Sequence, residues 1–381
     1  MSAARSVAIL AGQLVLGGAE RQLYLWLAHM DRRRYRPVVA TFHPDHGDHW
    51  EGPIEALGVP LIRVKPNGCP PLRLVRVAAL LRPYRVELVH GWHMFTSGYA
   101  ALSGRLLGAR SSLGSVRGSY ESFRSSPLLM RYALSMADAV VVNSQTAGDQ
   151  LASTLGPVGK RVFIVPNGVE DHVEARARAR AVLAARCAIP EAGTWIGSVG
   201  RLVKGKGFEL LLQSMRLLRA SAPAARLILI GYGPGHSELS ATVRQLGLGE
   251  AVTFAGPVPD ARRWLSAFDV FCFASTSEGM PNAVMEAAVA GVPIVAWRTP
   301  AVMELLADGV SGRLVTPGDV PAMSAAVRSL IENPTCAAVL GAAARRVMLT
   351  EFSVSRFVAR MTEAYDASIG SRCTDAYVGA P

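Results

Sequence analysis

The sequence predicts an α/β protein made of two doubly wound, Rossmann-like domains. Short runs of β-branched and other apolar residues alternate with helical patterns in both halves, which is typical of βαβ units on a parallel sheet. A chain of 381 residues is also long enough for two domains, each with its own core. The alternation restarts after a polar, Ala- and Arg-rich stretch at residues 176–186, which is either a linker or a helix. We therefore expect the domain junction near this stretch, with domains at residues 1–170 and 171–350.

Each half supplies its own set of elements. In the first half, strands are predicted at residues 7–10, 37–41, 61–64, 86–90, 111–116, 139–143 and 162–166. Helices are predicted between them near residues 19–31, 51–57, 72–82, 96–108, 126–136 and 145–155. In the second half, strands are predicted at residues 195–199, 227–230, 252–254, 270–274, 293–297 and 312–315. The accompanying helices are predicted near residues 207–219, 236–246, 261–267, 281–290, 321–332 and 336–349.

The cysteine content and the lengths of the apolar runs argue against a disulfide-rich, zinc-binding, secreted or membrane-spanning protein. The five cysteines are scattered, odd in number and without C-x-x-C spacing, so neither a disulfide framework nor a zinc site is expected. The apolar segment at residues 6–19 is interrupted by Gln13 and fits a buried strand and its loop better than a signal peptide. No apolar run approaches the ~20 residues that span a bilayer. We expect a soluble or peripheral protein in the cytoplasm.

Basic residues are concentrated in the first half of the chain. Residues 1–168 hold 19 Lys and Arg against 10 Asp and Glu, whereas residues 169–381 hold 21 against 19. The two halves thus carry net charges of +9 and +2. This asymmetry indicates that the first half meets an anionic partner, which is nucleic acid, an acidic membrane face or a phosphorylated acceptor.

Glycines and histidines follow two of the predicted strands in the first half. Gly17 and Gly18 open the first helix, where they let the backbone approach a ligand and leave free helix amides for a phosphate. His90 and His93 stand at the end of the fourth strand, and ligands of doubly wound sheets bind at the carboxyl ends of strands. For all four residues a packing or capping role is an open alternative.

Two further patterns in the first half admit a functional and a structural interpretation. His43, His46 and His49 have a spacing that resembles metal-ligand clusters, but no predicted helix or strand pair brings them together, so a solvated loop is favoured. Residues 71–84 combine an apolar stripe with arginines. This is typical either of a packed surface helix or of a contact with a membrane or an acceptor.

The second half contains a cationic, glycine-bearing turn between a strand and a helix. Its sequence is G-R-L-V-K-G-K-G at residues 200–207, in which Arg201 and Lys206 are placed to clamp a diphosphate. The turn lacks the G-x-x-x-x-G-K-[ST] order of a Walker A loop, and the chain has neither a dinucleotide fingerprint nor a G-x-S-x-G elbow. Nucleoside triphosphate hydrolysis, dinucleotide chemistry and the commonest kind of hydrolase are therefore disfavoured.

The stretch S-E-G-M-P-N-A-V-M-E-A-A-V-A-G-V-P at residues 277–293 predicts a tight loop and then a helix from about Pro281. Glu278 then lies just outside the helix, and Glu286 about one turn inside it. An anion or a sugar hydroxyl binds well at a helix N-terminus. The backbone amides that would point to it there belong to Gly279, Met280 and Asn282. On spacing alone, an ordinary capped helix with nearby carboxylates is the favoured interpretation.

Four motifs in this order resemble the large glycosyltransferase family 4 (GT4), whose members are retaining enzymes with the GT-B fold. They are the Gly-Gly turn, P-N-G-V at residues 166–169, the turn at residues 200–207 and E-G-x-P-N-x-x-x-E-A at residues 278–287. The resemblance runs from about Val7 to Phe357 and includes members that build bacterial surface polysaccharides. It implies two facing Rossmann-like domains with a nucleotide sugar in the cleft between them and no metal ion in the chemistry. It also implies that a C-terminal helix at residues 351–370 crosses back to the first domain, ahead of a tail at residues 371–381.

The resemblance assigns a role to each matching residue. Arg201 and Lys206 would hold the donor diphosphate and stabilise the leaving nucleotide, with help from the amides of Gly17 and Gly18 in the other domain. Glu286 would accept hydrogen bonds from the ribose hydroxyls. The hydroxyls of the transferred sugar would be held by Glu278, Gly279, Met280, Pro281 and Asn282. The co-substrate implied is a nucleotide-diphosphate sugar, foremost a UDP-sugar, and no cofactor is expected.

One region departs from the family pattern. Many members carry Thr-x-His after the fifth strand, with the histidine near the reacting sugar, whereas this chain reads G-S-V-R-G at residues 114–118. Arg117 therefore takes the place of that histidine, and His93 is the substitute candidate for a catalytic contact. The acceptor implied is a glycan or a lipid-linked glycan. The basic first half fits an acceptor that bears phosphate at the cytoplasmic face of an anionic membrane.

Two other functions compete with sugar transfer. A nucleotide-sugar epimerase on the same fold is the enzymatic alternative, and the spacing of Glu278 and Glu286 together with the basic first half favours the transferase. The other is a non-catalytic protein that binds nucleic acid or membrane through its basic half. The presence of Arg201, Lys206, Glu278 and Glu286 argues against it, because a pure binder has no use for a diphosphate clamp. Nucleic acid is therefore not an expected partner.

Overall fold

The computed structural model describes residues 4–44, 48–65, 69–118, 128–155 and 161–370. The chain forms two compact units. The first unit contains the residues up to Gly168 and those from Val354 onward, and the second unit contains Val169–Ser353. The chain thus leaves the first unit shortly before the stretch at residues 176–186.

The first unit is built on a sheet of seven parallel strands. They are β1 Arg5–Ala11, β2 Tyr35–Thr41, β3 Leu61–Arg63, β4 Leu88–Gly91, β5 Ser111–Val116, β6 Ala139–Val142 and β7 Arg161–Ile164. Their order in the sheet is β3-β2-β1-β4-β5-β6-β7. Strands β1 and β6 are largely apolar and buried along most of their length, as expected where helices cover both faces of a parallel sheet. Because the order reverses between β1 and β4, the loops after these strands border the crevice in which doubly wound folds bind ligands.

Helices cover this sheet. Those described in the first unit are α1 Gly18–His29, α2 Glu51–Ala56, α3 Pro70–Leu81, α4 Met94–Leu107, α5 Leu128–Ser135, α6 Gln145–Leu155 and α14 Val354–Gly370. The predicted helix at residues 126–136 corresponds to α5, and its first predicted residues lie outside the described ones. Pro83 cannot donate the hydrogen bond that would extend α3, and the chain continues as a short 3₁₀ helix, Arg82–Tyr84, which was not predicted.

Helix α14 packs into the core of the first unit through a buried polar and aromatic cluster. The Tyr365 hydroxyl accepts a hydrogen bond from Trp26 Nε1 at 3.2 Å and lies 2.9 Å from His90 Nδ1. The other ring nitrogen of His90 lies 2.8 Å from Ser115 Oγ on β5. Burial lowers the pKa of His90 well below its usual value, and so does the positive charge of Arg117, so this ring is neutral at pH 7. These contacts show that His90 has a packing role, which the sequence left open as an alternative to ligand binding.

The second unit repeats the architecture with six parallel strands. They are β8 Trp195–Val199, β9 Arg226–Ile230, β10 Val252–Gly256, β11 Val270–Phe273, β12 Ile294–Trp297 and β13 Arg313–Val315. Their order is β10-β9-β8-β11-β12-β13, so the strand order reverses between β8 and β11. The turn at residues 200–207 follows β8, and the loop that contains Glu278 follows β11. Both candidate motifs thus lie at the switch point of this sheet, at the carboxyl ends of its strands.

The helices described in the second unit are α7 Arg176–Cys187, α8 Phe208–Leu218, α9 His236–Gln245, α10 Asn282–Val289, α11 Pro300–Met303, α12 Val320–Glu332 and α13 Pro334–Glu351. Helix α7 settles the open choice for residues 176–186 in favour of a helix. The helix predicted at residues 261–267 is a 3₁₀ helix, Ala261–Ala267. Helix α11 was not predicted, because four residues are too few to show a periodic pattern.

The prediction of two doubly wound α/β domains is confirmed. Each of the thirteen predicted strands is present, and its ends differ from the prediction by at most two residues. Both sheets are parallel throughout the pairings described. The signal was strong because buried parallel strands are continuous apolar runs, and glycine or proline separates most of them from the next helix.

Candidate functional site

The turn at residues 200–207 lies directly against the chain that leaves β11. Gly207 precedes α8 with a positive φ of 70°, and a Cβ atom there would lie 2.1 Å from the backbone oxygen of Ala274. The N–H of Thr276 donates to the oxygen of Gly205 at 3.2 Å. Only glycine combines this backbone conformation with so close an approach, so the sequence of the turn fixes the spacing of the two loops.

Lys206 and Glu278 meet where these two loops are in contact. Lys206 Nζ lies 2.5 Å from Glu278 Oε1, and the two side chains are 27% and 17% exposed. The family resemblance assigns the two residues to different parts of a ligand, and their ion pair was not predicted. Because both side chains still reach solvent, an anionic ligand can approach the ammonium group without opening a buried pair.

Arg201 occupies the same turn with an exposed side chain. Among the described residues, its guanidinium makes no hydrogen bond or ion pair, so its planar set of donors is available to a ligand. The backbone on either side is held in place by the last residue of β9 and by the loop that follows it. The N–H of Gly200 donates to the oxygen of Ile230 at 3.0 Å, and that of Leu202 donates to Tyr232 at 2.8 Å. Arg201 is thus an adaptable side chain on a fixed backbone.

Helix α10 begins at Asn282, and Pro281 precedes it. The sequence predicts a start at about Pro281, and the loop-then-helix arrangement is confirmed within one residue. Glu278 lies before the helix and Glu286 in its second turn, as expected. Gly279 and Pro281 are buried, whereas Asn282 and Glu286 are half-buried. The helix start therefore follows, within four residues, the carboxylate that pairs with Lys206.

These residues form one region of the second unit, which we call the cationic edge. It contains two cationic side chains, two carboxylates and a helix N-terminus, and its residues are Arg201, Lys206, Glu278, Gly279, Met280, Pro281, Asn282 and Glu286. Cations and helix amides stabilise phosphate oxygens, and carboxylates accept hydrogen bonds from hydroxyl groups. The arrangement can therefore bind a ligand that carries both phosphate and hydroxyl groups.

In the first unit, the predicted ligand residues Gly17 and Gly18 stand at the start of α1, as expected. The carboxylate of Glu20 lies beside them, since a Cβ atom at Gly17 would be 2.2 Å from Glu20 Oε2. His93 Nε2 lies 3.2 Å from Glu20 Oε1, and the N–H of Gly12 donates to His93 Nδ1 at 3.0 Å. Both ring nitrogens of His93 thus have protein partners, and its catalytic role stays a prediction.

Arg117 directly follows β5, and its guanidinium lies in the interior. All three guanidinium nitrogens are buried and have no hydrogen-bond partner within the described part of the chain. The guanidinium carbon lies 3.6 Å from the centre of the Trp92 ring. Burial lowers the pKa of Arg117 to about 9, so the group is still charged at pH 7. Arg117 and His93 both lie in loops at the carboxyl edge of the first sheet, where the sequence predicts a ligand.

Two family models match the chain. The model described as Glycosyltransferase Family 4 matches residues 16–173, and the model described as Glycosyl transferases group 1 matches residues 193–333. The chain belongs to glycosyltransferase family 4. The matched segments contain the Gly-Gly turn and the cationic edge, so the motifs that carried the resemblance lie within the matched family regions.

Curated relatives and solved structures agree with this family. A mannosyltransferase of Mycolicibacterium smegmatis, described as GDP-mannose-dependent and acting on phosphatidylinositol monomannoside, is 28% identical over 76% of this chain and 78% of its own. A lipopolysaccharide core glycosyltransferase of Rhizobium meliloti is 29% identical over 46% of this chain and 51% of its own. HepE of Anabaena, solved with UDP-glucose, has a TM-score of 0.83 and 20% identity over 95% of this chain and 99% of its own. The chain thus matches 78% and 51% of the length of these two curated relatives, and 63% of the length of a 2-deoxystreptamine glucosyltransferase of Streptomyces kanamyceticus.

The likeness to HepE confirms the predicted GT-B fold for this family 4 chain. The family models and the relatives named above describe transferases, and they give no support to the epimerase alternative.

The sequence did not predict two residues that contact the candidate site residues His93 and Arg117. Glu20 is buried and bonded to His93, and Trp92 lies under the Arg117 guanidinium while its Nε1 donates to the oxygen of Ala19 at 2.8 Å. A carboxylate in the first turn after Gly-Gly was a signal for Glu20. No signal along the sequence pairs Trp92 with Arg117, because the contact depends on the neighbouring positions of β4 and β5.

The remaining sequence predictions concern residues outside these regions. His46, one of the three histidines with metal-ligand-like spacing, lies outside the described residues, as do Cys373 and the rest of the tail at residues 371–381. Within the described ranges, no group of three His, Cys, Asp or Glu side chains is arranged to hold a metal ion. The four described cysteines are free. Of the helices in the described part of the chain, none has the length and apolarity to cross a membrane.

Proposed function

We propose that this family 4 chain is a retaining glycosyltransferase that moves a sugar from a UDP-sugar to a glycan or lipid-linked acceptor in cell-surface polysaccharide synthesis. The observation that carries the proposal is the cationic edge. Its turn carries Arg201 and Lys206, and Lys206 pairs with Glu278 in the loop before α10, at the switch point of the second sheet. Support comes from one relative described as acting on phosphatidylinositol monomannoside, from another described as acting in lipopolysaccharide core biosynthesis, and from HepE, which was solved with UDP-glucose.

In this proposal the two cations act on the donor diphosphate. When the bond between the sugar and the diphosphate breaks, negative charge develops on the leaving nucleotide. Arg201 binds this charge with a planar fork and Lys206 with a point charge, so the transition state is stabilised more than the bound donor. Positively charged side chains thus supply the stabilisation that a metal ion supplies in other transferases.

The acidic residues act on hydroxyl groups. Glu286, in the second turn of α10, accepts hydrogen bonds from the ribose. Glu278 is oriented by Lys206 at 2.5 Å and, with the loop that follows it, holds hydroxyls of the transferred sugar. In a retaining reaction the nucleotide departs from the face that the acceptor attacks, so no nucleophilic side chain is required. The roles that the resemblance gives to Gly17, Gly18 and His93 stay predictions.

A donor screen tests the proposal. UDP-, GDP- and ADP-sugars are added to the purified protein and the shift in melting temperature is measured. A UDP-sugar present at 100 times its Kd is expected to stabilise the protein by about 2.7 kcal/mol. The matched control is UMP, which lacks the second phosphate and is expected to give a much smaller shift. A larger shift with a GDP-sugar would overturn the choice of base, and no shift with any nucleotide sugar would overturn the donor site.

We also propose that the first unit contacts an anionic membrane at the cytoplasmic face. Helix α3 carries exposed apolar side chains, with Leu72 49%, Val75 59% and Leu80 39% exposed, and arginines stand between them. Apolar side chains flanked by basic ones are typical of helices that lie on anionic lipid. The excess of basic residues in this half supports the same contact.

Liposome co-sedimentation measures this contact. The protein is expected to sediment with vesicles that contain anionic lipid several times more than with neutral vesicles, and less so at high salt. Leu72→Ser combined with Val75→Ser is expected to reduce sedimentation. Leu217→Ser is the matched control, since Leu217 is an equally exposed leucine of the second unit. Equal sedimentation with both kinds of vesicle would count against the membrane contact.

A further inference from the structure

Arg117 carries a positive charge that the described protein does not neutralise. Its guanidinium nitrogens are buried without a hydrogen-bond partner, and no carboxylate of the described residues pairs with it. The titratable groups that act on it are also without negative charge at pH 7. His90 is a neutral ring, and burial raises the pKa of the Tyr365 hydroxyl. A buried charge without a partner is unfavourable, and it is retained where something outside the fold compensates it.

The guanidinium is held in one position in advance of any ligand. Its carbon lies 3.6 Å from the centre of the Trp92 ring, a stacked cation–π contact. Trp92 is itself fixed, because its Nε1 donates to the oxygen of Ala19 in α1. The backbone of Arg117 is fixed as well, because Asn143 Nδ2 donates to its oxygen at 3.1 Å. Stacking occupies the face of the guanidinium and leaves its edge, with five N–H donors, for another group.

A second polar atom in the same place also lacks a partner. Asn143 Oδ1 is buried and accepts no hydrogen bond from any described residue. Asn143 follows β6 in the way that Arg117 follows β5, so both lie at the carboxyl edge of the first sheet. The Asn143 Oδ1 atom can accept a hydrogen bond from a donor such as a hydroxyl group, whereas the Arg117 guanidinium pairs best with an oxyanion. Both groups occur together in an acidic or phosphorylated sugar.

We propose that Arg117 is a receptor for an oxyanion, a carboxylate or a phosphate, that the acceptor substrate carries. The proposal rests on the proposed transferase function and narrows its acceptor to an anionic one. The planar fork of arginine pairs with two oxygens of either group. Donor phosphates are assigned to Arg201 and Lys206 in the second unit, which leaves Arg117 free to recognise the acceptor.

The test measures binding of three small probes by isothermal titration to protein saturated with UDP, which fills the donor site. The probes are glucuronate, glucose 1-phosphate and, as the neutral match, glucose. At least one of the two anions is expected to bind the wild type about 10-fold or more tightly than glucose, as a charge-assisted pair implies. In Arg117→Met this ratio is expected to fall to about one. Arg117→Lys keeps the charge but loses the planar fork, so its anion-to-glucose ratio is expected to lie between those of the wild type and Arg117→Met.

The melting temperature of the free variants separates recognition from packing. Methionine also packs well on an indole ring, so Arg117→Met is expected to melt at or above the temperature of the wild type once the unpaired charge is gone. A lower melting temperature together with an unchanged anion-to-glucose ratio would show a purely structural cation–π stack and would overturn the proposal. So would a wild type that binds both anions no better than glucose.

The two anions distinguish the chemical source, since preference for glucuronate indicates a uronic acid and preference for glucose 1-phosphate indicates a phosphorylated acceptor. Failure of the transferase function gives a different result. A wild type that shows no heat of binding with UDP contradicts the donor site, while the anion titration, repeated without UDP, still decides the role of Arg117.

Discussion

Replacing Lys206 with alanine is expected to lower kcat for sugar transfer by about 10³-fold, because in the proposed function Lys206 supplies a charge beside the leaving diphosphate, where negative charge develops. The fold is expected to survive. Lys206 is 27% exposed and belongs to no apolar cluster, and Glu278 still reaches solvent after losing its partner. The free energy of unfolding should therefore fall by no more than about 2 kcal/mol. Initial rates with a UDP-sugar and chemical denaturation measure the two quantities.

Lys204→Ala is the matched control for this prediction. Lys204 lies two residues away in the same turn, is exposed and contributes the same charge to the protein. If Lys206 acts by position, the control keeps turnover within about twofold of the wild type, whereas a general loss of positive charge would lower both variants alike. Wild-type turnover in Lys206→Ala would falsify the diphosphate clamp.

The fold could be predicted from the sequence because its signals are local. Apolar runs such as the one that forms β6 read as buried strands without knowledge of their neighbours, and glycine or proline marks where most of them end. Helix α11 and the 3₁₀ helix Arg82–Tyr84 were missed because each has only about one turn, which is too short for a repeating pattern to appear in the sequence. The sequence did not decide between a helix and a polar linker for the residues of α7, because a run rich in arginine and alanine is compatible with both.

The candidate site could be predicted only as a list of residues. Strand order brings the turn after β8 and the loop after β11 together, but the chain alone does not show that Lys206 and Glu278 form an ion pair. That contact depends on the register of two strands that are far apart in the sequence. The stacking of Arg117 on Trp92 depends in the same way on β4 and β5. Residue identities are local information, and their pairings are not.

Gly207 shows the structural effect of a pairing that the sequence does not reveal. The sequence places it as the last glycine of a cationic turn, whereas the structure shows that a Cβ atom there would lie 2.1 Å from the oxygen of Ala274. Gly207→Ala therefore introduces both a left-handed backbone strain and a backbone clash that no side-chain rotation relieves. We expect the free energy of unfolding to fall by about 2–4 kcal/mol. Relief of the clash separates the two loops, so UDP-sugar affinity is expected to fall at least about 10-fold.

The matched variant Gly205→Ala introduces the backbone strain without the clash. Gly205 also has a positive φ, 87°, but a Cβ atom there would meet nothing within 4 Å. Its replacement is expected to cost only the backbone strain, about 1–2 kcal/mol, and to leave donor affinity nearly unchanged, because its backbone oxygen can still accept from Thr276. Equal losses of stability and donor affinity in the two variants would show that positive φ alone matters. A loss of affinity confined to Gly207→Ala would show that the contact between the turn and the end of β11 positions Lys206 for the donor.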